Sequence, residues 1–295
     1  MAVDSAEALV AFETEAVLGE GPVWDELGNK LYWVDIMSGK LFIYDPDRKT
    51  NTACNVGEHV GAFALREKGG IVMATKSGFS FLDIDTLEKT HISNPEAHLT
   101  GNRFNDGKCD PQGRFWAGTM AYDQKKEAGS LYCLQTDGNV ELKVPNITIS
   151  NGLTWNRQRD RFFFIDTPAQ HIYAYDYEDA TGHISNPSVI REIDAGEGHP
   201  DGMTIDTDDH LWVALYGGSK VMRINPQSGE TVFEVHLPVP KVTSCTFGSR
   251  DYSELYITTA RENMSDEDIR QYPLSGSLFK ASLPFKGLPF FRFAG

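Results

Sequence analysis

One unit of this 295-residue chain reads PDGMTIDTDDHLWVAL at residues 200–215. In it, Asp201 lies five positions before a second acid, Asp206, and a short polar turn then leads into an aromatic strand at 211–214. The same layout recurs at three other places, with Glu20 before Asp25, Asn105 before Asp110 and Asn151 before Asn156. Residues in equal register occupy equivalent places in a repeat fold, so the first members of these four pairs are expected to converge on one ring.

The aromatic strand recurs along the chain, each time with a turn and a second strand after it. Six such strand pairs begin 40 to 49 residues apart, at 31–45, 71–83, 115–134, 162–177, 211–225 and 255–283. Strand-rich repeats of this period are typical of a β-propeller with one four-stranded blade per repeat. The sequence therefore predicts an all-β fold, a six-bladed β-propeller with a central channel, as a single domain over residues 1–295.

Several local signals refine this prediction. The mostly apolar stretch 8–14 is expected to add a strand to the last blade and close the ring. Each of the four polar residues begins the innermost strand of its repeat and has a glycine within two positions, which permits a close approach of neighbouring backbones. In the second and sixth repeats the matching slots hold Ala62 and Ser244. One short helical turn is predicted after Ser265, with Asp268 completing a capping box.

The composition limits the classes of partner. A net charge of −15 argues against nucleic acid and anionic membranes as partners. No apolar run is long enough for a transmembrane helix, and the first residues lack the layout of a signal peptide, so a cytoplasmic location is expected. The four cysteines form no CxxC motif and are expected to be reduced and mostly buried. The sequence leaves the oligomeric state open.

The residue types of the ring indicate a metal site. Glu20 and Asp201 offer carboxylates, and Asn105 and Asn151 offer amide oxygens. This all-oxygen set suits Ca²⁺, Mg²⁺ or Mn²⁺, whereas zinc more often calls for His or Cys. In isolation, an Asn-Gly pair such as the one at Asn151 would favour a hairpin turn. Four polar residues in register, each leading into an apolar stretch, favour the ring.

Other residues near the ring allow two interpretations. Arg103 lies two positions before Asn105 and so shares its face of the strand, where it would either anchor an oxygen-rich or anionic substrate or pair with an acidic residue. His199 would act as a proton donor or simply line the rim of the channel. The acidic run from Asp206 to Asp209 lacks the glycine and final Glu of an EF-hand loop, which favours a solvated turn.

Five motifs, spread over the chain in order, carry a family resemblance. They read LGEGP at 18–22, NRFNDGK at 102–108, WAGTM at 116–120, ISNGL at 149–153 and PDGM at 200–203. Together they closely resemble the senescence-marker-protein/gluconolactonase/luciferin-regenerating-enzyme family, and its regucalcin-like branch in particular. The resemblance implies a six-bladed propeller with one divalent metal cation, Ca²⁺, Zn²⁺, Mn²⁺ or Mg²⁺, ligated by Glu20, Asn151 and Asp201.

The resemblance also implies the roles of other site residues. Arg103 and Asn105 would contact the substrate, and Asp201 would also be the catalytic acid/base. Regucalcin-like members carry a Glu directly after Gly-Thr-Met-Ala, where this chain has Tyr122 followed by Asp123. Tyr122 keeps a hydrogen-bonding group without the charge, so it becomes the candidate substrate contact, and the substrate preference at this wall stays open.

The activity implied is metal-dependent hydrolysis of a sugar lactone such as gluconolactone. Two alternatives share the same ring. One is a calcium-binding regulatory propeller without turnover. The other is a related hydrolase that acts on phosphotriester or luciferin-type substrates.

Overall fold

The computed structural model describes residues 3–295, and their strands form six sheets placed like blades around a channel. The chain begins with two short strands, β1 (Asp4–Glu7) and β2 (Leu9–Phe12), which join the last two blades. From the channel outward, blade 1 contains β3 (Gly19–Asp25), β4 (Lys30–Asp35), β5 (Lys40–Asp45) and β6 (Thr50–Asn55). In the same order, blade 2 contains β7 (Val60–Leu65), β8 (Ile71–Thr75), β9 (Gly78–Leu82) and β10 (Lys89–Ser93).

The next three blades repeat this antiparallel order. Blade 3 contains β11 (Asn102–Cys109), β12 (Phe115–Ala121), β13 (Gly129–Leu134) and β14 (Val140–Ile147). Blade 4 contains β15 (Ser150–Trp155), β16 (Arg161–Asp166), β17 (His171–Glu178) and β18 (His183–Glu192). Blade 5 contains β19 (His199–Ile205), β20 (Leu211–Tyr216), β21 (Lys220–Ile224) and β22 (Thr231–His236). The predicted six-bladed propeller is confirmed.

Blade 6 closes the ring with strands from both parts of the chain. It contains β23 (Val242–Gly248), β24 (Glu254–Thr259) and β25 (Leu278–Ser282), with β2 as its outermost strand. The predicted closure by the stretch 8–14 is therefore confirmed. The sequence did not predict β1, which adds a parallel fifth strand to blade 5 beside β22.

Few helices accompany the strands in residues 3–295. The predicted helical turn forms α1 (Asp266–Gln271), where Ser265 caps the first turn and Asp268 completes the capping box. Two short 3-10 turns, Thr167–Ala169 and Ala195–Glu197, lie near the start of β17 and β19. None of the helices in the part of the chain described here is long and apolar enough to cross a membrane.

The hydrophobic core is divided between neighbouring blades. The described residues form six apolar clusters, and each cluster joins two adjacent blades. Blades 6 and 1, for example, meet through Trp24 and Tyr256, whose rings stack with centroids 5.6 Å apart. Since both faces of a blade are covered, strands such as β20 are apolar without alternation. The four cysteines are unpaired, as predicted, and three of them are buried in these clusters.

The second member of each polar pair in the repeat has a structural role, best seen in Asp110 and Asp206. Both side chains are fully buried. The Asp110 carboxylate accepts hydrogen bonds from two backbone N–H groups of its turn, and also from Arg114 Nε (2.6 Å) and Trp116 Nε1 (2.9 Å). Asp206 is bonded in the same way. These aspartates therefore fix the turn that joins the first two strands of a blade, and the prediction of a solvated turn is wrong for Asp206.

Replacing Asp110 with Ala is expected to destabilise the fold strongly. Arg114 is 5% exposed, and the change would leave its guanidinium buried without a carboxylate. Loss of one partner of a buried ion pair costs about 3–5 kcal/mol of unfolding free energy. Urea unfolding of both proteins measures the difference. The matched control is Asp137→Ala in an exposed turn, where the loss should stay below about 1 kcal/mol; equal losses in the two variants would contradict the structural role of Asp110.

The C-terminal residues after β25 cross the channel at one end, which the sequence did not predict. Gly287 forms a β-bridge with Asp206 of blade 5, and Phe293 forms one with Arg66 after β7. Arg292 forms an ion pair of 2.5 Å with Asp25 at the end of β3. The three residues contacted are Asp25, Arg66 and Asp206. Each is the last residue of an inner strand or the residue directly after it. This segment, 284–295, therefore covers the end of the channel opposite to the start of those strands.

Candidate functional site

The inner strand of each blade is interrupted by a β-bulge near its start. In β15 the pairing with β16 passes from Ser150 to Leu153, and in β19 the pairing with β20 passes from Pro200 to Met203. The other four inner strands have their irregularity at the same level. A bulge interrupts the alternation of side chains and re-aims one of them. Asn151 and Asp201 lie in these bulges, which explains how equal register in sequence leads to one place in the channel.

Glycines next to the ring allow the inner strands to approach closely, as predicted. A Cβ atom on Gly152 would lie 2.7 Å from the carbonyl oxygen of Asp201. A Cβ atom on Gly202 would lie 2.1 Å from Ser244 Oγ in the next blade. Because neither distance is possible for a real side chain, glycine is required at both positions. The ring residues are thus carried on backbones that pack directly against each other.

A cavity of about 660 Å³ opens where the inner strands begin. It is lined by all six residues predicted from the sequence to bind the metal or the substrate: Glu20, Arg103, Asn105, Tyr122, Asn151 and Asp201. A volume of this size is typical of small-molecule sites in proteins. The structure therefore brings residues from four blades together at one end of the channel.

A chain of hydrogen bonds links the polar side chains of the cavity. Arg103 Nη1 donates to Asn105 Oδ1 at 2.6 Å, and Asn105 Nδ2 donates to Asn151 Oδ1 at 3.1 Å. Asn151 Nδ2 donates in turn to Thr167 Oγ1 at 2.7 Å, and that hydroxyl donates to the carbonyl of Pro200. The Asn151 amide oxygen thus faces the ring, while the Asn105 amide oxygen is held against the guanidinium. Both polar groups of the Asn105 amide are therefore engaged within the protein, and they hold Arg103 and Asn151 in place.

The carboxylates of Glu20 and Asp201 are buried without a cationic partner. They are 4% and 7% exposed, and no ion pair within residues 3–295 includes either of them, unlike the buried pair of Asp110 with Arg114. Burial, followed by the charge of the other carboxylate and that of Asp106, raises the pKa of Glu20 well above its usual value. Burial and the charge of Asp106 likewise raise the pKa of Asp201. Such a cluster is relieved by a bound cation, so the donor set fits a divalent metal.

Arg103 is a buried guanidinium that belongs to no ion pair within residues 3–295, although the charges of Glu262, Glu20 and Asp201 act on it. Its side chain lines the cavity and is 6% exposed. Nη1 donates to the carbonyl of Phe104 and to Asn105, while Nε is buried and finds no hydrogen-bond partner among residues 3–295. Burial lowers the pKa of Arg103. Of the two interpretations of this arginine, the described contacts disfavour a structural ion pair.

Tyr122 forms part of the cavity wall, and Asp123 does not. The Tyr122 hydroxyl hydrogen-bonds to His59 Nδ1 at 2.6 Å, and its ring lies 5.9 Å from the Arg103 guanidinium carbon. The Asp123 side chain instead accepts a hydrogen bond from the backbone of Lys125 in an exposed turn. At the position after Gly-Thr-Met-Ala, this wall therefore presents a phenol and not a carboxylate.

Comparison with known proteins places this site in a family. Residues 18–261 match the family model described as the SMP-30/Gluconolactonase/LRE-like region. The chain belongs to this family. It is 42% identical over 291 residues to a Bacillus subtilis protein that carries the name sugar lactone lactonase YvrE, covering 98% of this chain and 99% of that protein.

Two further members of the SMP-30/Gluconolactonase/LRE-like family carry the name regucalcin. Regucalcin of Oryctolagus cuniculus is 39% identical over 283 residues, with 94% of this chain and 95% of that protein covered. The crystal structure of a calcium-binding protein, regucalcin, from Agrobacterium tumefaciens has a TM-score of 0.95 at 26% identity and covers 100% of both chains. The family resemblance predicted from the five motifs is confirmed.

A second group of possible metal ligands, Asp206, Asp208 and His210, lies away from this family site. Their ligand atoms are within 4.8 Å of one another. Both oxygens of Asp206 already accept hydrogen bonds from its turn, Trp212 and Arg223, and Asp208 is paired with Arg223 at 3.0 Å. The group is therefore explained as the structural turn of blade 5.

Sequence reasoning missed several residues that act on the site. Asp106 is 7% exposed and raises the pKa of both Glu20 and Asp201. It follows Asn105 in the sequence, and strict alternation would turn it away from the channel, but the bulge at Asn105 removes that alternation. Glu262 and Lys241 also line the cavity. They come from loops outside the repeat register, so the repeat offered no signal for them. His199, for which the sequence allowed either a proton donor or a residue at the channel rim, is exposed and lines the cavity.

Proposed function

We propose that this protein hydrolyses sugar lactones with the help of one divalent cation. The observation that supports this most directly is one cavity that holds the buried carboxylates of Glu20 and Asp201 beside the buried guanidinium of Arg103, none of which belongs to an ion pair within residues 3–295. The two carboxylates suit a metal, and the guanidinium suits an oxygen-rich substrate beside it. Membership of a family whose relatives include a named sugar lactone lactonase supports the same reaction.

Glu20, Asn151 and Asp201 would hold the cation. They supply two carboxylates and one amide oxygen, which leaves room for water and substrate in the shell of Ca²⁺, Zn²⁺, Mn²⁺ or Mg²⁺. When bound, such a cation polarises a carbonyl and lowers the pKa of water. The all-oxygen set does not select one of the four cations.

Asp201 is proposed as the acid/base of the reaction. Its carboxylate accepts a proton from the attacking water, and the new C–O bond forms at the lactone carbonyl. The bond between that carbon and the ring oxygen then breaks, and the proton passes from Asp201 to the ring oxygen to give the open hydroxy acid.

Arg103, Asn105 and Tyr122 are proposed to hold the sugar. The guanidinium and the Tyr122 hydroxyl would face the hydroxyl groups of the lactone, and Asn105 keeps Arg103 in place through the bond of 2.6 Å. His59 fixes the Tyr122 hydroxyl from the other side. These contacts would orient the lactone carbonyl toward the proposed metal ligands Glu20, Asn151 and Asp201. They take no part in making or breaking bonds.

Replacing Arg103 with Met should lower kcat/KM for gluconolactone by about 10². The change keeps a long apolar stem but removes the charged donors, so most of the loss should appear as a higher KM. Initial rates over a range of gluconolactone concentrations measure both constants. The control is Arg250→Met on an exposed turn. A variant at position 103 with an unchanged KM would show that Arg103 does not bind the sugar.

Calcium binding without turnover is a second candidate, favoured by the relatives named regucalcin. Titration of the metal-free protein with Ca²⁺ and assays of a small aldonolactone panel with each of the four cations separate the two. Lactone opening above the metal-free rate supports the hydrolase. Tight Ca²⁺ binding with no opening of any lactone would support the binding protein instead. A panel that includes phosphotriesters and luciferin-type substrates tests the remaining alternative.

A further inference from the structure

A second cavity, of about 320 Å³, lies at the opposite end of the channel. Its walls include the last residues of inner strands, such as Thr154 in β15 and Ile205 in β19, and the C-terminal segment from Leu288 to Phe291. Asp206 follows the ring position Asp201 by five positions, so the two ends of the channel are about 16 Å apart. The second cavity shares no lining residue with the proposed lactone site.

The charge of this second cavity is opposite to that of the whole protein. Lys108, Arg157 and Arg159 line it, and no Asp or Glu of the described chain does, although the net charge is −15. The Lys108 ammonium donates to the carbonyl of Met203 at 2.8 Å and belongs to no ion pair within residues 3–295, although the charge of the buried Asp106 acts on it. Arg157 donates to the carbonyl of Thr207.

Arg159 is only loosely paired. Its nearest carboxylate oxygen, on Asp179, is 3.8 Å away, and both side chains are substantially exposed. An exposed pair at that distance contributes little. Arg157 and Arg159 therefore keep most of their capacity to bind an anion at the mouth of the second cavity.

The remaining walls are aromatic and apolar. Trp155, Leu288 and Phe290 line the cavity. The Lys108 ammonium lies 5.0 Å from the centre of the Phe290 ring, and the Arg159 guanidinium carbon lies 5.5 Å from the centre of the Phe291 ring. Apolar walls with a few convergent charged groups are typical of a site for a small organic ligand.

We propose that this cavity is a second binding site, for a small flat organic anion. The ring of the ligand would lie between Trp155 and the C-terminal segment, and its acidic group would meet the arginines at the mouth. The three cations and the absence of acidic lining residues select an anion over a neutral or cationic ligand. The aromatic walls select a flat apolar body over an inorganic ion or a free sugar acid.

Calorimetric titration with naphthalene-1-sulfonate tests this site, with naphthalene-1-sulfonamide as the neutral analogue of similar shape. We expect one sulfonate per chain, bound at least about tenfold more tightly than the sulfonamide. The double variant Arg157→Gln, Arg159→Gln should lose about tenfold in affinity for the sulfonate. The matched control, Arg250→Gln, Arg270→Gln, changes two exposed arginines outside the cavity and should bind like the wild type.

The site is separate from the proposed lactone site, so saturating gluconolactone should not displace the sulfonate. Absence of binding, equal affinity for the sulfonamide, unchanged affinity of the double variant at 157 and 159, or displacement by the lactone would each overturn the proposal. Circular dichroism of the variants checks that the fold is retained.

Discussion

Replacing Asp201 with Asn should reduce kcat for gluconolactone hydrolysis by about 10³. The amide keeps the size of the side chain and one oxygen toward the proposed metal, but it cannot accept and return the proton of the reaction. General acid–base groups contribute typically about 10²–10⁴ to the rate. Loss of one negative charge from the metal set should weaken metal binding as well, so kcat is to be measured at saturating Mn²⁺ or Ca²⁺ in a pH-stat.

Two controls make the Asp201 result specific. Asp123→Asn changes an acid that is close in sequence to Tyr122 but is turned away from the cavity, and its kcat should match the wild type. A calcium titration of the Asp201→Asn protein shows whether metal is still bound under the assay conditions. If that protein is metal-loaded and turns over gluconolactone at the wild-type rate, Asp201 is not the acid/base.

The sequence predicted the part of the site that the repeat encodes. Glu20, Asn105, Asn151 and Asp201 share one register, and the bulges at the start of the inner strands bring that register to one level of the channel. The fold followed from the same repeat, because each apolar strand pair must be covered by a neighbouring blade on both faces. Ring closure by β2 followed from the mostly apolar stretch 8–14, since an N-terminal strand commonly closes a propeller.

What the sequence did not predict lies outside that register. Glu262 reaches the cavity from the loop after β24, and the C-terminal segment crosses the far end of the channel through single bridges such as Arg66 with Phe293. Such contacts depend on where loops fold back, which periodicity does not encode. Asp106 was missed for a different reason, since the bulge that aims Asn105 also breaks the alternation that reasoning about strands relies on.

The acidic residues at the two ends of the inner strands also differ in whether they form ion pairs. At the end near the cavity, Glu20 and Asp201 belong to no ion pair in the described part of the chain, whereas Asp110 and Asp206 at the other end are paired with Arg114 and Arg223. The unpaired end is costly to maintain without a ligand, because buried carboxylates need compensation. This contrast within one repeat distinguishes a binding position from a structural one more clearly than burial alone does.

Removal of divalent metal should abolish lactone hydrolysis and make the protein less stable as the pH rises. Burial and the charges of Asp201 and Asp106 raise the pKa of Glu20 in the folded state, and burial and the charge of Asp106 raise the pKa of Asp201. The metal-free folded protein therefore holds protons that the unfolded chain releases near the usual carboxyl values. This contribution to stability is present below those values and is lost as the pH rises through the folded pKa.

A bound cation reverses this dependence, because it replaces the protons and binds only the folded site. At a metal concentration 100 times Kd the gain is about 2.7 kcal/mol, and it declines toward low pH as protons compete for the two carboxylates. Thermal unfolding at several pH values, with EDTA or with excess Ca²⁺, measures both effects, and lactone assays after restoring each cation measure activity. In the double variant Glu20→Gln, Asp201→Asn both the metal effect and most of the pH effect should disappear. Full activity in EDTA would show that the reaction does not need a cation. A metal effect on stability that survives in this variant would show that the cation binds elsewhere.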